Sequence, residues 1–283
     1  VSARAIEHDL PLLRPDAVGD PQVVEALRGH APDVGVVVAF GQFIPRSVRE
    51  LPRLGYLVNA HASLLPRHRG ASPIVAAILA GDERTGISVM RVEREMDAGP
   101  VALVRETAID PRETAGELTD RLAVLAAEAI TAALDRIAEG TVTWTEQDAS
   151  RATVAPRITK EDTRLDWSQP TRALVRRILA LSPRPGAYTE LPGADAERLR
   201  ILRAEPSRRP APGAAPPGTV HVGGAGDPHV LEVATGDGWL AATEVQRSGS
   251  RAMDASAFLR GYALAPGARL GVGATGRSEA TDG

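Results

Sequence analysis

Hydrophobic and polar positions along the chain switch between a period near two and a period near 3.6, and each switch predicts an element. An apolar run at 10–13 predicts a short strand, and Asp20-Pro21 then opens a helical pattern through Val24, Leu27 and His30. The β-branched run at 34–39 has the look of a strand buried on both faces. A loop, Phe40-Gly41-Gln42-Phe43-Ile44-Pro45, comes next, then a helix ending near Glu50 and a strand at 56–59. After the breaks at Pro66 and Gly70, Ser72 and Pro73 suit the N-cap and first position of a helix over 73–80, stopped by Gly81. Strands are expected at 85–92 and 101–109, with a tight acidic loop over 93–99 between them. The longest helix is expected over 114–139, where Leu118, Leu122, Leu125, Ile130, Leu134 and Ile137 approximate helical spacing and Gly140 ends it. Strands alternating with helices imply an α/β sheet, at least partly parallel.

The texture changes near Thr159. A helix is expected over 170–181, with Leu174, Ile178 and Leu181 on one face and Arg172, Arg176 and Arg177 off it. Residues 205–218, rich in Pro, Ala and Arg, read as a long loop. Short strands divided by glycine turns are expected at 219–222, 229–234 and 239–245, with another near 268–272, and together they suggest a small β-barrel. No internal repeat is visible.

Composition narrows the function classes. Cysteine is absent, which removes disulfides, thiolate zinc sites and a cysteine nucleophile, and suits a cytoplasmic protein. No apolar run approaches the roughly 20 residues of a membrane span, and charged and proline residues interrupt any signal-peptide core in 1–15. The net charge of −3 carries no global nucleic-acid signature. Lys160 is the only lysine, so nearly every positive charge is a guanidinium.

The residues with chemistry to offer are Asn59, His61 and Asp97. Asn59 and His61 are two apart, so on an extended backbone both side chains point to one side. Asp97 also falls just past a strand end, and loops at the carboxyl ends of strands in an open α/β sheet form the usual ligand crevice. An amide donor and a protonated imidazole can stabilise an oxyanion, and a carboxylate can hold that imidazole charged. Taken singly, each has a plainer reading: a lone histidine is more often structural, and an Asp close to glycine is most often a turn former.

The flanks of these residues carry more. Asn59-x-His61-x-Ser63-Leu64-Leu65-Pro66, then Arg69-Gly70-Ala71-x-Pro73-Ile74, Gly81-Asp82 with Thr85-Gly86, and Met96-Asp97-Ala98-Gly99 resemble the 10-formyltetrahydrofolate-dependent formyltransferases. Arg157-Ile158-x-Lys160-Glu161-Asp162-x-x-Leu165-Asp166-Trp167 and Arg177-Ile178-x-Ala180-x-x-Pro183-x-Pro185-Gly186-Ala187 are similar to the C-terminal barrel domain of the branch acting on transfer RNA. The likeness spans nearly all of residues 8–270. It implies a Rossmann-like open sheet in a catalytic domain at 1–145, a linker at 146–160, an OB-like barrel at 161–275 and a disordered tail at 276–283. It also places Val1 to His8 in the middle of the folate-binding domain, so the family's usual N-terminal βα unit either precedes residue 1 or is lacking.

By this resemblance the reaction is transfer of a formyl group from 10-formyltetrahydrofolate to the free amine of methionyl-initiator-tRNA, by a cytoplasmic monomer with no metal. Asn59, His61 and Asp97 would be catalytic. Ser63, Leu64, Leu65 and Pro66 would line the folate pocket, Leu64 and Leu65 being equally readable as core, with Phe40 to Ile44 a second wall. Arg172, Arg176, Arg177, Arg208, Arg209, Arg247 and Arg251 could meet RNA phosphates, or could simply be solvated. Arg67 and Arg69 could meet the acceptor end of the RNA, or pair with acidic loops. The alternatives are a formyltransferase acting on a nucleotide-sugar or other small amine, and an inactive RNA-binding fragment.

Two strings mislead. Gly271-Val272-Gly273-Ala274-Thr275-Gly276 matches G-x-G-x-x-G, but no helix or second strand can come after it, so it is assigned to a flexible tail. His61, His68 and Asp97 do not have the spacing of a standard metal site. No G-x-S-x-G elbow is present, against an α/β-hydrolase.

Overall fold

Val58, Ile87, Val89 and Met90 are almost wholly buried, and they belong to the sheet on which the first half of the chain is built. The structure, a computed structural model, describes residues 2–193, 197–224, 227–265 and 267–271. In chain order it runs α1 (Ser2–Glu7), α2 (Pro21–Gly29), β1 (Gly35–Val37), α3 (Arg46–Arg49), β2 (Leu57–His61), β3 (Arg69–Gly70), α4 (Pro73–Ala80), β4 (Arg84–Arg91), β5 (Val101–Ala108), α5 (Ala115–Ala138) and β6 (Val154–Ala155). The sheet order is β1-β2-β4-β5, and β3 and β6 form a separate two-stranded ladder. β1 and β2 are parallel, with Val37 opposite Asn59. β4 returns antiparallel to β2, with Met90 opposite Asn59 and Ser88 opposite His61.

The chain divides into two compact units. One comprises the chain through Pro73 with Gly86–Glu106 and Val124–Ala155; the other comprises Ile74–Thr85, Thr107–Ala123 and the chain from Pro156 onward. In the first unit Val18, Val24, Val48 and Leu57 form a small core against which Leu27, Val37, Ile44 and Leu51 pack.

Two strand expectations change. Residues 10–13 form no strand, and Leu10 and Leu13 are about half exposed (59% and 48%). A strand is stabilised by cross-strand neighbours, and this segment has no ladder partner among the described residues. The 34–39 run is shorter than expected and buried on one face only. Val37 packs inward, whereas Val36 and Val38 are 44% and 54% exposed. Among the described strands β1 pairs with β2 alone, and a continuous β-branched run does not by itself say whether the second face is covered.

The five helices expected from the sequence pattern agree closely with it, whereas α1 and the short helix at Ala255–Gly261 are not announced by it. α5 opens on a capping box: the Glu117 amide donates to Thr114 Oγ1 (3.3 Å), and Glu117 Oε2 accepts from the Thr114 amide (2.9 Å). The Thr114 amide, with help from Arg203, holds the Glu117 carboxyl below its ordinary value. Ala129 and Ala133, rather than the larger residues beside them, are the fully buried positions of its second half.

The second unit adds α6 (Thr171–Leu181), β7 (Ala187–Glu190), β8 (Arg198–Pro206), β9 (Val220–Gly224), β10 (Asp227–Ala234), β11 (Trp239–Arg247), β12 (Met253–Asp254) and α7 (Ala255–Gly261). The order is β7-β8-β11-β10-β9 with β12 beside β11, all antiparallel, a barrel-like sheet. Leu174, Ile178 and Leu181 of α6 are buried, as their spacing requires. Pro170 offers no side-chain cap, so the cap comes from elsewhere: Asp237 Oδ1 accepts from the Thr171 amide (2.7 Å) and hydroxyl (2.8 Å). Those bonds, the amide's first, hold the Asp237 carboxyl below its ordinary value.

The sequence pattern does not announce β7 and β8. In β8 Leu199, Ile201 and Ala204 point inward, but Arg198, Arg200, Arg203 and Glu205 around them obscure the alternation. Toward 268–272, Arg269 makes a single bridge to Thr219, and Val272, the rest of the G-x-G-x-x-G string and the 276–283 tail lie outside the described residues.

Candidate active site

β2 delivers Asn59 and His61 to one face two residues apart, and the loop after β2 closes around the imidazole. His61 is buried, 5% exposed. Its Nε2 lies 2.8 Å from the His68 carbonyl oxygen. A carbonyl only accepts, so Nε2 carries the hydrogen and Nδ1 is the nitrogen that faces Asp97 Oδ2, 3.5 Å away. Asp97 Oδ2 also accepts from the Gly70 amide at 2.8 Å. The imidazole therefore sits between a backbone carbonyl and a carboxylate, with Asn59 beside it on β2.

This loop is held by its own polar groups. Ser63 is fully buried, and its Oγ donates to the Arg67 carbonyl at 2.6 Å. Ser88 Oγ, on β4, donates to the Ser63 carbonyl (2.8 Å) and accepts from the Leu65 amide (3.1 Å). Residues 66–72 are then stitched to 153–155. The Thr153 amide donates to the Pro66 carbonyl, the Arg69 amide to the Thr153 carbonyl, and the Ser72 amide to the Ala155 carbonyl. The His68 amide donates to Thr153 Oγ1 at 2.8 Å. Ser63 to Pro66 thus form a tight turn at the end of β2 whose Ser63 hydroxyl and Leu65 amide are spent internally. Leu64 packs against Gly86, where a Cβ would meet its Cδ2 at 2.8 Å.

Asp97 adopts a left-handed backbone, φ 53°, and its loop is tied down by a residue that no motif in the sequence singles out. Gln147 Nε2 donates to the carbonyls of Asp97 (2.8 Å) and Gly99 (2.7 Å). Its Oε1 accepts from Arg69 Nε (3.0 Å) and Nη2 (2.8 Å). Arg69, buried, also reaches Glu95 at 3.5 Å. Of the two roles open to Arg69, the structure displays the inward pairing. Nothing in the polar stretch Thr145-Glu146-Gln147-Asp148 marks Gln147 out, because its partner Asp97 lies 50 residues away.

The arginines sort as well. Arg209 pairs with Glu232 (2.8 Å), Arg247 pairs with Glu197 (2.8 Å), and Arg177 donates to the Asp162 carbonyl (2.8 Å). Arg172, Arg176, Arg208 and Arg251 are exposed. Among the described residues no cluster of His, Asp and Glu has the arrangement to hold a metal ion, and no helix is long and apolar enough to cross a membrane.

A site of this make-up on this sheet has known counterparts. The formyl transferase family matches residues 2–134 and its C-terminal domain matches residues 157–263, and the chain belongs to that family. It is 44% identical over 272 residues to the methionyl-tRNA formyltransferase of Methylobacterium sp. (strain 4-46), a match covering 95% of this chain and 84% of that one. Among solved structures, HypX from Aquifex aeolicus in complex with tetrahydrofolic acid superposes with a TM-score of 0.62 at 21% identity. That match covers 83% of this chain but 40% of HypX, so this chain spans less than half of it. WlaRD, a sugar 3N-formyl transferase solved with dTDP and 5-N-formyl-THF, gives a TM-score of 0.61 at 14% identity over 89% of this chain and 82% of that one. At these identities the likeness to HypX and WlaRD is one of fold.

Proposed function

We propose that this chain transfers the formyl group of 10-formyltetrahydrofolate to the α-amine of methionyl-initiator-tRNA, as a cytoplasmic monomer. What carries the reading is the placement of Asp97 3.5 Å from His61, at the end of the strand that presents Asn59, in a chain 44% identical to a methionyl-tRNA formyltransferase. The donor set suits acyl transfer. The Asn59 amide donates to the formyl oxygen as negative charge develops there, which is where a fixed donor lowers the barrier most. Asp97 takes the proton that the attacking amine loses, directly or through one water. His61, anchored at Nε2 by the His68 carbonyl, keeps Nδ1 toward Asp97 and so orients that carboxylate and shares the proton. The amine–carbon bond forms, the bond from the formyl carbon to N10 breaks, and N10 ends with a proton. The folate supplies the activated formyl group, and the turn of Ser63, Leu64, Leu65 and Pro66 supplies a rigid wall for it.

In this reading residues 1–145 carry the chemistry, 146–160 link, and 161–275 meet the RNA. A groove of about 500 Å³ in the second unit is lined by Lys160, Arg198, Arg200 and Arg247 with Tyr188, and by no carboxylate among the described residues. Arg247 is neutralised by Glu197, which leaves Lys160, Arg198 and Arg200 as the phosphate-facing cations. Replacing Arg198 and Arg200 together by alanine is expected to raise KM for the RNA roughly tenfold and leave kcat within about twofold. It should also flatten the salt dependence by about one to two units of slope.

The test of the function is direct. Purified protein, 10-formyltetrahydrofolate and methionyl-initiator-tRNA are expected to yield formyl-methionyl-tRNA catalytically. Turnover on an amino-sugar nucleotide instead, or RNA binding without turnover, overturns the proposal.

A further inference from the structure

We infer that Gln147 is a positioning residue for Asp97, acting with Arg69 as a clamp that sets the carboxylate against His61. The inference rests on the function proposed above and goes beyond it, because Gln147 touches neither substrate nor reacting atoms. The hydrogen bonds form a closed circuit. Arg69 donates through Nε and Nη2 to Gln147 Oε1, and Gln147 Nε2 donates to the carbonyls of Asp97 and Gly99. Asp97 Oδ2 then accepts from the amide of Gly70, the residue bonded to Arg69.

Every hydrogen-bonding group of the Gln147 side chain is thereby used, and the amide's orientation is determined. The reverse orientation would set its N–H groups against a guanidinium and its oxygen against two carbonyls. Arg69 is 9% exposed, with Nε and Nη2 on Gln147 and Nη1 on Glu95.

The circuit answers a need that packing does not. Asp97 is a non-glycine residue at φ 53°, a conformation that persists only where the surroundings over-determine it. On its N-terminal side Glu95 and Met96 are exposed. Two donors from one side chain, fixed on carbonyls two residues apart, define the path of 97–99. The Gly70 amide then defines the direction of the carboxylate. Proton transfer is sensitive to displacements of about 1 Å, so a loop released at its backbone loses the His61–Asp97 geometry even when the fold persists.

Gln147→Glu isolates the effect. A glutamate keeps, as an ion pair, the contact with Arg69 but presents an acceptor to two carbonyls. It is expected to lower kcat at least tenfold while KM for both substrates stays within twofold. In an Asp97→Asn background the same substitution is expected to change kcat less than twofold, because its effect runs through that carboxylate. A residue that served only the fold would lower kcat by the same factor in both backgrounds, and that result overturns the inference, as does a Gln147→Glu protein with kcat within twofold of wild type. Amide exchange at Gly70, measured by NMR, provides a readout independent of turnover. It is expected to accelerate at least fivefold in Gln147→Glu, and unchanged exchange also overturns the clamp. If the wild-type protein fails to form formyl-methionyl-tRNA, the proposed function falls, while the Gly70 exchange still decides whether the clamp exists.

Discussion

Asn59→Ala is expected to lower kcat for formyl transfer about 10²–10³-fold, with little change in KM, because it removes one fixed donor from the oxygen that gains charge. The fold gives no reason for a larger structural effect. Asn59 pairs through its backbone with Val37 and Met90, and those ladder bonds do not depend on its side chain. The Asn59 side chain is only partly buried, so truncation leaves no sealed cavity. Asp97→Asn is expected to fall in the same range for a different reason. An amide cannot accept the amine's proton, although it can still accept from the Gly70 amide that Asp97 Oδ2 now holds. Single-turnover formyl transfer, measured as labelled formyl-methionyl-tRNA with thermal unfolding alongside, reads both. A kcat within threefold of wild type for Asn59→Ala removes that residue from the chemistry.

The largest expected effect on stability comes from Gly70→Ala. Gly70 has φ 122°, a region that L residues rarely enter, and a Cβ there would stand 2.6 Å from the Ala155 carbonyl oxygen. That oxygen is backbone, paired across the β3–β6 ladder, so no side chain can rotate away. Backbone strain of about 1–3 kcal/mol and overpacking of about 1–3 kcal/mol add to a loss of about 3 kcal/mol or more. For a chain of this size that lowers Tm by roughly 6–12 °C. Gly140→Ala is the control: φ is 68° but nothing lies within 4 Å of its Cβ, so only the left-handed backbone matters, at about 1 kcal/mol. Equal melting temperatures for the two variants would mean that the β3–β6 approach is not tight. Because the Gly70 amide also holds the Asp97 carboxylate, Gly70→Ala should depress kcat beyond what the loss of folded protein explains.

Legibility differs from element to element. α4 is placed by Pro73 and Gly81, and α6 by the spacing of Leu174, Ile178 and Leu181, all signals contained within a dozen residues. The C-terminal strands β9 to β11 are bracketed by their glycine turns. β8 is not, because the arginines on its outer face read as a charged stretch until Leu199, Ile201 and Ala204 are seen inside. β1 reads as longer and more buried than it is, since Val36 and Val38 are chemically indistinguishable from core valines although they are exposed.

At the site, Asn59 and His61 are recognisable together because a strand's alternation alone puts both on one side. Their link to Asp97 comes by resemblance, not by spacing. The sequence by itself determined the five helices from α2 to α6, the strands β2, β4, β5 and β9 to β11, and the family, because those are set by side-chain periods and backbone preferences acting over a few residues. Tertiary structure alone decided that Asp97 meets Nδ1 of His61, that Arg69 turns inward, and that Gln147 closes the circuit. Those contacts depend on sheet register and on loops brought together across as many as 78 positions, over which no local pattern carries information.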